Sequence, residues 1–188
     1  MKGKMVTSLM ILALGLVTTP ASWALTFQDV EFLLSASGGT LTLAINNVTN
    51  ASGNWTGIND IDALEFKDIG VTTLTSNNGF SIVPGAEINA SASGCDTKGN
   101  PQGAFCFNTG GALLTNNNTF TFGYTGTLTS SPDLKVVFSI NGTPCAPGCD
   151  LLSQAVSVGS PVTTPEPASL ILLGAGLIGI SIWRRQSA

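Results

Sequence analysis

The chain has 188 residues, a formal net charge of −4 at pH 7 and no histidine. The absence of histidine excludes Ser-His-Asp and Cys-His catalysis and any histidine-ligated metal site. Residues 25–160 hold three lysines against ten acidic residues, a net charge of −7. With so few basic groups to neutralise phosphates, this segment is not expected to bind nucleic acid.

The N-terminus has the pattern of a secretory signal peptide. Lys2 and Lys4 precede an apolar run over residues 5–17, and small residues stand before a predicted cleavage site after Ala24. Residues 1–24 are therefore expected to be removed on export. An uncleaved anchor helix is the alternative, which the shortness of the apolar run disfavours.

Residues 25–160 have the size and composition of one exported all-β domain. Thr, Ser, Asn and Gly are frequent, charges are few, and short apolar runs alternate with polar residues. The predicted strands cover residues 27–34, 41–45, 58–66, 71–75, 80–82, 86–92, 120–124, 134–140 and 151–158, and the last is expected to pair with its predecessor. About eight to ten strands with turn dipeptides such as Pro84-Gly85 and Asn141-Gly142 predict a β-sandwich, jelly-roll-like in its connectivity.

Four cysteines lie in the exported domain, where disulfides persist: Cys95, Cys106, Cys145 and Cys149. Three pairings are open. We favour Cys95 with Cys106 and Cys145 with Cys149, because each pair closes a turn-rich loop that otherwise has little reason to be ordered. Disulfides that close such short loops are expected to order the loops more than they stabilise the whole domain. A zinc site is the alternative, and export and the lack of histidine disfavour it.

One dense acidic group stands in the exported domain, formed by Asp60, Asp62, Glu65 and Asp68. On a strand, Asp60 and Asp62 would point to the same face, as two carboxylates that hydrolyse a glycoside require. The group could also ligate calcium together with Asn59, although its spacing does not match an EF-hand loop. We favour a solvated strand face that keeps a sheet edge soluble, so no catalytic residue, metal site or cofactor is predicted.

Trp55 is the single tryptophan between the two terminal segments, in the polar loop Asn54-Trp55-Thr56-Gly57. An exposed ring on such a loop could stack on a sugar, which makes Trp55 a candidate ligand-binding residue beside Asp60 and Asp62. A tryptophan that closes one end of the sandwich core is the commoner alternative.

The last 26 residues have the pattern of a membrane-handling tag. Pro165-Glu166-Pro167 precedes an uncharged apolar run over residues 168–183, which ends at Arg184-Arg185. Sixteen residues make about 24 Å of helix, at the short limit for a hydrocarbon core of about 30 Å. The arginines are expected on the cytoplasmic side. The two prolines favour an extended segment outside the membrane, where a processing enzyme can bind it.

This order of features resembles the PEP-CTERM sorting signal of Gram-negative bacteria, and the resemblance covers the tail alone. It implies that Pro165, Glu166, Pro167, Arg184 and Arg185 are recognised by exosortase. That enzyme is a cysteine-protease-like membrane protein that removes or exchanges the anchor, often in bacteria with exopolysaccharide loci. An ordinary single-span anchor leaves Pro-Glu-Pro unexplained, and the terminal arginines disfavour a GPI-attachment tail.

The chain is thus expected to comprise a signal peptide, a β-sandwich over residues 25–160, a linker over 161–167, a transmembrane helix over 168–183 and a cytoplasmic tail over 184–188. The expected function is that of a non-catalytic cell-surface or extracellular-matrix protein associated with exopolysaccharide. Before processing it would be anchored in the inner membrane and face the periplasm. A carbohydrate-binding module using Trp55 or Tyr124, and a glycoside-active enzyme using Asp60 and Asp62, are the alternatives.

Overall fold

The computed structural model describes the greater part of the exported domain. The described segments are residues 24–88, 94–97, 103–144 and 148–159. The expected signal peptide, linker, transmembrane helix and basic tail lie outside them, as does Cys145. Within the described segments, no helix is both long and apolar enough to cross a membrane.

The described residues form fourteen β-strands and two short 3-10 helices, Val48–Asn50 and Gly53–Trp55. The strands are β1 Leu25–Phe27, β2 Val30–Ser37, β3 Thr40–Asn46, β4 Asp60–Lys67, β5 Val71–Ser76, β6 Ser81–Ile82, β7 Glu87–Ile88, β8 Cys95–Asp96, β9 Phe105–Leu113, β10 Asn117–Gly126, β11 Asp133–Ile140, β12 Thr143–Pro144, β13 Asp150–Ala155 and β14 Val158–Gly159.

Two sheets pack against each other as a sandwich. Sheet 1 has the order β1-β2-β3-β10-β5, and sheet 2 has the order β12-β11-β4-β9-β6. β13 pairs with β11, while β14 pairs with β2 as a parallel strand in an otherwise antiparallel structure. The predicted β-sandwich is confirmed, and the finer jelly-roll assignment stays a prediction.

The core is filled by the residues that alternate along each strand. In β3 the inward side chains are fully buried and the outward ones are half-buried, as a period of two requires. The inward residues of β3 are Leu41, Leu43 and Ile45. Across the interface, the ring of Phe122 in sheet 1 lies 5.1 Å from Phe66 and 5.2 Å from Phe107, both in sheet 2. These aromatic contacts join the two sheets.

The first predicted strand, residues 27–34, is wrong as a single element. The structure has two strands there, joined by a two-residue turn in which Gln28 and Asp29 have φ of 47° and 65°. Phe27 pairs directly with Val30 across this turn. Both turn residues adopt positive φ, as the favoured hairpin turns require. The sequence lacks the Asn-Gly or Asp-Gly signal that usually marks such a turn.

Strand β9 is absent from the sequence-based assignment, although it has nine residues and lies between β4 and β6 in sheet 2. It contains Cys106, which the sequence predicts at the end of a turn-rich loop, and it contains Gly110 and Gly111. Both glycines have positive φ. Glycine is depleted in strands because it loses much backbone entropy and packs no side chain. The two adjacent glycines therefore interrupt the alternation of apolar and polar residues that would predict a strand.

The last predicted strand is confirmed in its first part and wrong in its second. β13 pairs with β11, as expected, but Val158 then pairs with Leu34 in the other sheet. Two backbone hydrogen bonds hold the segment that crosses from one sheet to the other. Val156 N–H donates to the Pro132 carbonyl at 3.0 Å, and Val158 N–H donates to the Ser130 carbonyl at 2.9 Å.

A short segment covers the outer face of sheet 2. We call it the flap; its described residues are 83–88 and 94–97, and β7 pairs with β8 within it. It buries a second apolar cluster formed by Ala63, Ala86, Ile88, Cys106 and Val137. Of the predicted strand over 86–92, β7 is described, whereas residues 89–93 lie outside the described segments.

Candidate functional site

The ring of Trp55 lies in the core. Its exposed fraction is 0%, and it contacts three rings, with centroids 4.9 Å from Phe27, 6.0 Å from Phe32 and 4.9 Å from Phe138. The backbone N–H of Trp55 donates to Gln28 Oε1 at 2.9 Å, which fixes the loop that carries it. The ring therefore offers no face to a sugar, and Trp55 closes the sandwich core.

The four acidic residues of the dense group are not brought together. β4 is a central strand of sheet 2, so the interpretation of a solvated sheet edge is wrong. Asp60 is 4% exposed, Glu65 is fully buried and Asp68 is exposed in the turn after β4. In the part of the chain that the structure describes, no group of three or more Asp, Glu, Cys or His residues could hold a metal ion.

Asp60 holds the turn between β11 and β12. Its Oδ2 accepts a hydrogen bond from Gly142 N–H at 2.8 Å. The neighbouring Asn59 exchanges two bonds with Asn141, at 2.9 Å and 2.7 Å. Asn141 and Gly142 have φ of 53° and 72°, the positive values of a two-residue hairpin turn. The predicted end of the strand at Asn141-Gly142 is thereby confirmed, and one carboxylate oxygen of Asp60 has a structural partner.

Asp62 lies at an irregularity on both sides of β4. On the β11 side Phe138 pairs with Ile61 and Val137 with Ala63, so Asp62 is left without an opposing residue. On the β9 side Ile61 and Ala63 pair with residues 112 and 108, so that three residues stand opposite Asp62. Thr109 Oγ1 donates to the Ile61 carbonyl within this bulge. Bulges re-aim side chains and are over-represented beside active sites.

The carboxyl group of Asp62 lies in an unfavourable environment for a charge. Desolvation raises its pKa above the ordinary value of 3.8, a hydrogen-bonding interaction with Ser139 opposes the rise, and repulsion from Asp60 adds to it. Oδ2 of Asp62 is buried and makes no hydrogen bond of ordinary geometry within the described segments. The structure thus brings Asp60 and Asp62 together, as their spacing predicts, and adds Ser139, which sequence reasoning missed.

Ser139 stands directly opposite Asp60 in the ladder between β11 and β4. The residue is 0% exposed, and its hydroxyl completes no hydrogen bond of ordinary geometry with any described group. It is nevertheless close enough to Asp62 to favour the charged form of that carboxyl. Alternation in residues 134–140 could have placed Ser139 on the face opposite to Phe138, but the pairing register was needed to place it beside Asp60.

Glu65, the remaining buried acid, forms an ion pair with Lys135. Lys135 Nζ lies 3.3 Å from Glu65 Oε1, and the two residues are opposite each other in the ladder. Glu65 Oε2 accepts from Ile88 N–H, and Lys135 Nζ donates to the Ile88 carbonyl at 2.9 Å. The pair thereby binds both backbone groups of one flap residue, which indicates a structural role.

The favoured pairing of Cys95 with Cys106 is confirmed. The bond joins the flap to β9, with the two Cα atoms 5.8 Å apart. Cys149 is also disulfide-bonded. Its expected partner, Cys145, lies outside the described residues, so that pairing stays a prediction.

The comparisons with known proteins concern the tail. Residues 163–186 match the family model described as the PEP-CTERM protein-sorting motif. No curated protein and no solved structure matches the chain. The match includes Pro165, Glu166, Pro167 and the arginine pair that the sequence singles out. The chain therefore carries a PEP-CTERM protein-sorting motif behind a β-sandwich domain, and this motif implies export and processing by an exosortase-type enzyme.

Proposed function

We propose that this chain is a non-catalytic structural protein of the bacterial cell surface or extracellular matrix, delivered by its PEP-CTERM tail and associated there with exopolysaccharide. The sorting motif at residues 163–186 is the observation that carries the proposal. The order of signal peptide, sandwich, Pro-Glu-Pro and apolar run supports it, because such a chain is exported first and then handled at the membrane.

The described domain supports a non-catalytic role. The chain has no histidine, one Asp60 oxygen holds a hairpin turn, and the buried Glu65 is paired with Lys135. The carbohydrate-binding alternative loses its leading residue, since the ring of Trp55 is buried. The acidic surface expected of the exported segment suits a soluble matrix component, because net charge opposes non-specific association.

Replacement of the tripeptide tests the proposal. A Pro165→Ala/Glu166→Ala/Pro167→Ala variant should accumulate in the membrane fraction of the producing cell, while wild type reaches the surface or the medium. The matched control is Thr163→Ala/Thr164→Ala, which alters the adjoining residues and leaves Pro-Glu-Pro intact. Equal distribution of all three proteins between membrane and medium would overturn the proposed sorting route.

A further inference from the structure

We propose that Asp60, Asp62 and Ser139 form a binding site for a hard divalent cation, with calcium the expected metal. The site lies where β4 bulges against both of its neighbours, on the side of sheet 2 to which Asp60 and Ser139 point. The proposal goes beyond the structural function stated above and does not depend on how the tail is processed.

The backbone geometry brings the three side chains to one place. Ser139 is the cross-strand partner of Asp60, and partners in an antiparallel ladder share a face of the sheet. The extra residue of the bulge, Asp62, is near enough to Ser139 and to Asp60 to interact with both. Two carboxylates and a hydroxyl therefore converge from two neighbouring strands.

Two oxygens at this place are buried without an ordinary hydrogen bond. Ser139 is fully buried, and within the described segments neither its Oγ nor Asp62 Oδ2 makes a hydrogen bond of ordinary geometry, although the two groups interact with each other. Buried polar atoms in native proteins are nearly always paired. Carboxylate and hydroxyl oxygens are hard ligands of the kind that calcium and magnesium prefer.

The local charge favours a cation. β9 and β12 contain no charged residue, and the charged residues of β11 are Asp133 and Lys135. The ammonium group of Lys135 is held by Glu65 and the Ile88 carbonyl. The described strands next to the Asp60 and Asp62 carboxylates therefore supply no other basic side chain. A bound divalent cation would relieve the repulsion between them.

The available ligands indicate a weak site. Asp60 Oδ2 is bonded to Gly142 N–H, which leaves Oδ1 for a metal, and Asp62 as a residue is half-buried. Calcium takes six to eight oxygens, and water would complete the shell. Sites of this kind in extracellular modules have dissociation constants on the order of 10⁻⁴–10⁻³ M.

Calcium binding to the exported protein, stripped with a chelator, tests the proposal. Equilibrium dialysis with calcium alone should show one ion bound per chain, and the thermal midpoint should rise as calcium is added. Asp62→Asn, which keeps the side-chain shape, should abolish both effects, and Ser139→Ala should weaken them. Asp68→Asn, a change of equal charge at an exposed turn, should leave both unchanged.

The proposal is overturned if wild type binds no calcium at millimolar concentration, or if Asp62→Asn binds as well as wild type. Equal losses in Asp62→Asn and Asp68→Asn would also overturn it, because they would show a general charge effect. Loss of calcium binding in Asp62→Asn, with Asp68→Asn unchanged, supports it. If Ser139→Ala fails to fold, the calcium binding of Asp62→Asn and Asp68→Asn still tests the proposal.

Discussion

Lys135 and Glu65 form a buried ion pair whose two members bind opposite backbone groups of Ile88, one its carbonyl and the other its N–H. The two side chains neutralise each other's charge and also attach the flap to the outer face of sheet 2. Buried charges are costly to leave unpaired, so each partner depends on the other.

Loss of one charge of this pair should destabilise the domain strongly. Lys135→Met leaves a carboxylate in the sheet without its counter-charge, and we expect a loss of about 3–5 kcal/mol in the free energy of unfolding. Glu65→Gln, which still offers Ile88 an acceptor oxygen, should cost less. Urea denaturation of the variants measures the change.

Lys67→Met is the matched control, because Lys67 lies on β4 and is partly exposed. The double variant Glu65→Leu/Lys135→Met should recover most of the lost stability, as apolar replacements of buried pairs do. A Lys135→Met variant as stable as Lys67→Met would contradict the structural role of the pair.

Trp55→Ala should be among the most damaging substitutions in the domain. The ring is fully buried among Phe27, Phe32 and Phe138, so its removal leaves a large cavity and should cost about 3–5 kcal/mol. Trp55→Phe should cost less. Thermal unfolding measures both, with Thr56→Ala at an exposed neighbour as the control, and a Trp55→Ala midpoint equal to that control would place the ring outside the core.

Removal of the Cys95–Cys106 disulfide should loosen the flap. The bond closes a short loop, with a sequence separation of 11, for which the chain-entropy model gives a stabilisation of about 3 kcal/mol. Cys95→Ala/Cys106→Ala should therefore lower the unfolding free energy and speed hydrogen exchange at Ile88 more than at Leu43 in the opposite sheet. Equal exchange rates at Ile88 with and without the disulfide would contradict this role.

The Asp62 carboxyl group should favour the folded, metal-free protein more at acidic than at neutral pH. Its pKa is raised in the folded state, so the folded chain binds the proton more tightly than the unfolded chain. Stability contributed by this group is gained as pH falls through the folded pKa toward the ordinary value of 3.8, and is lost as pH rises. Desolvation by burial is the largest cause of the raised pKa; the Ser139 hydroxyl opposes the rise and repulsion from the Asp60 carboxylate adds to it.

The comparison of wild type with Asp62→Asn in chelator isolates this contribution. The variant should be the more stable of the two at neutral pH, and the difference should shrink as the pH is lowered toward 4. Asp68→Asn should show no such convergence. A wild-type advantage at neutral pH would contradict the unfavourable environment assigned to Asp62.

The sequence predicted the fold where side chains alternate without interruption. Residues 41–45 and 134–140 have a period of two, and both lie in strands of the sandwich core. Prediction failed where the backbone departs from that period: at the Gln28–Asp29 turn, which lacks a glycine signal, and in β9, where Gly110 and Gly111 interrupt the pattern.

The candidate site was predictable only in part for the same reason. The spacing of Asp60 and Asp62 placed them on one face, but the bulge that isolates Asp62 depends on the register of two partner strands. Ser139 and Lys135 lie far from β4 in the chain, and long-range pairing alone brings them to it. For Trp55 the commoner alternative, closure of the sandwich core, is confirmed, and the rings of Phe27 and Phe138 pack against it.

The intact mass of the protein, taken separately from the membrane and extracellular fractions of its native host, tests the central claim most directly. We predict that the extracellular form has lost residues 1–24 and ends near Pro165 to Pro167, with or without an added group. A protein confined to the membrane fraction whose mass still includes Arg184 and Arg185 would contradict the claim, since the tail would then be a permanent anchor.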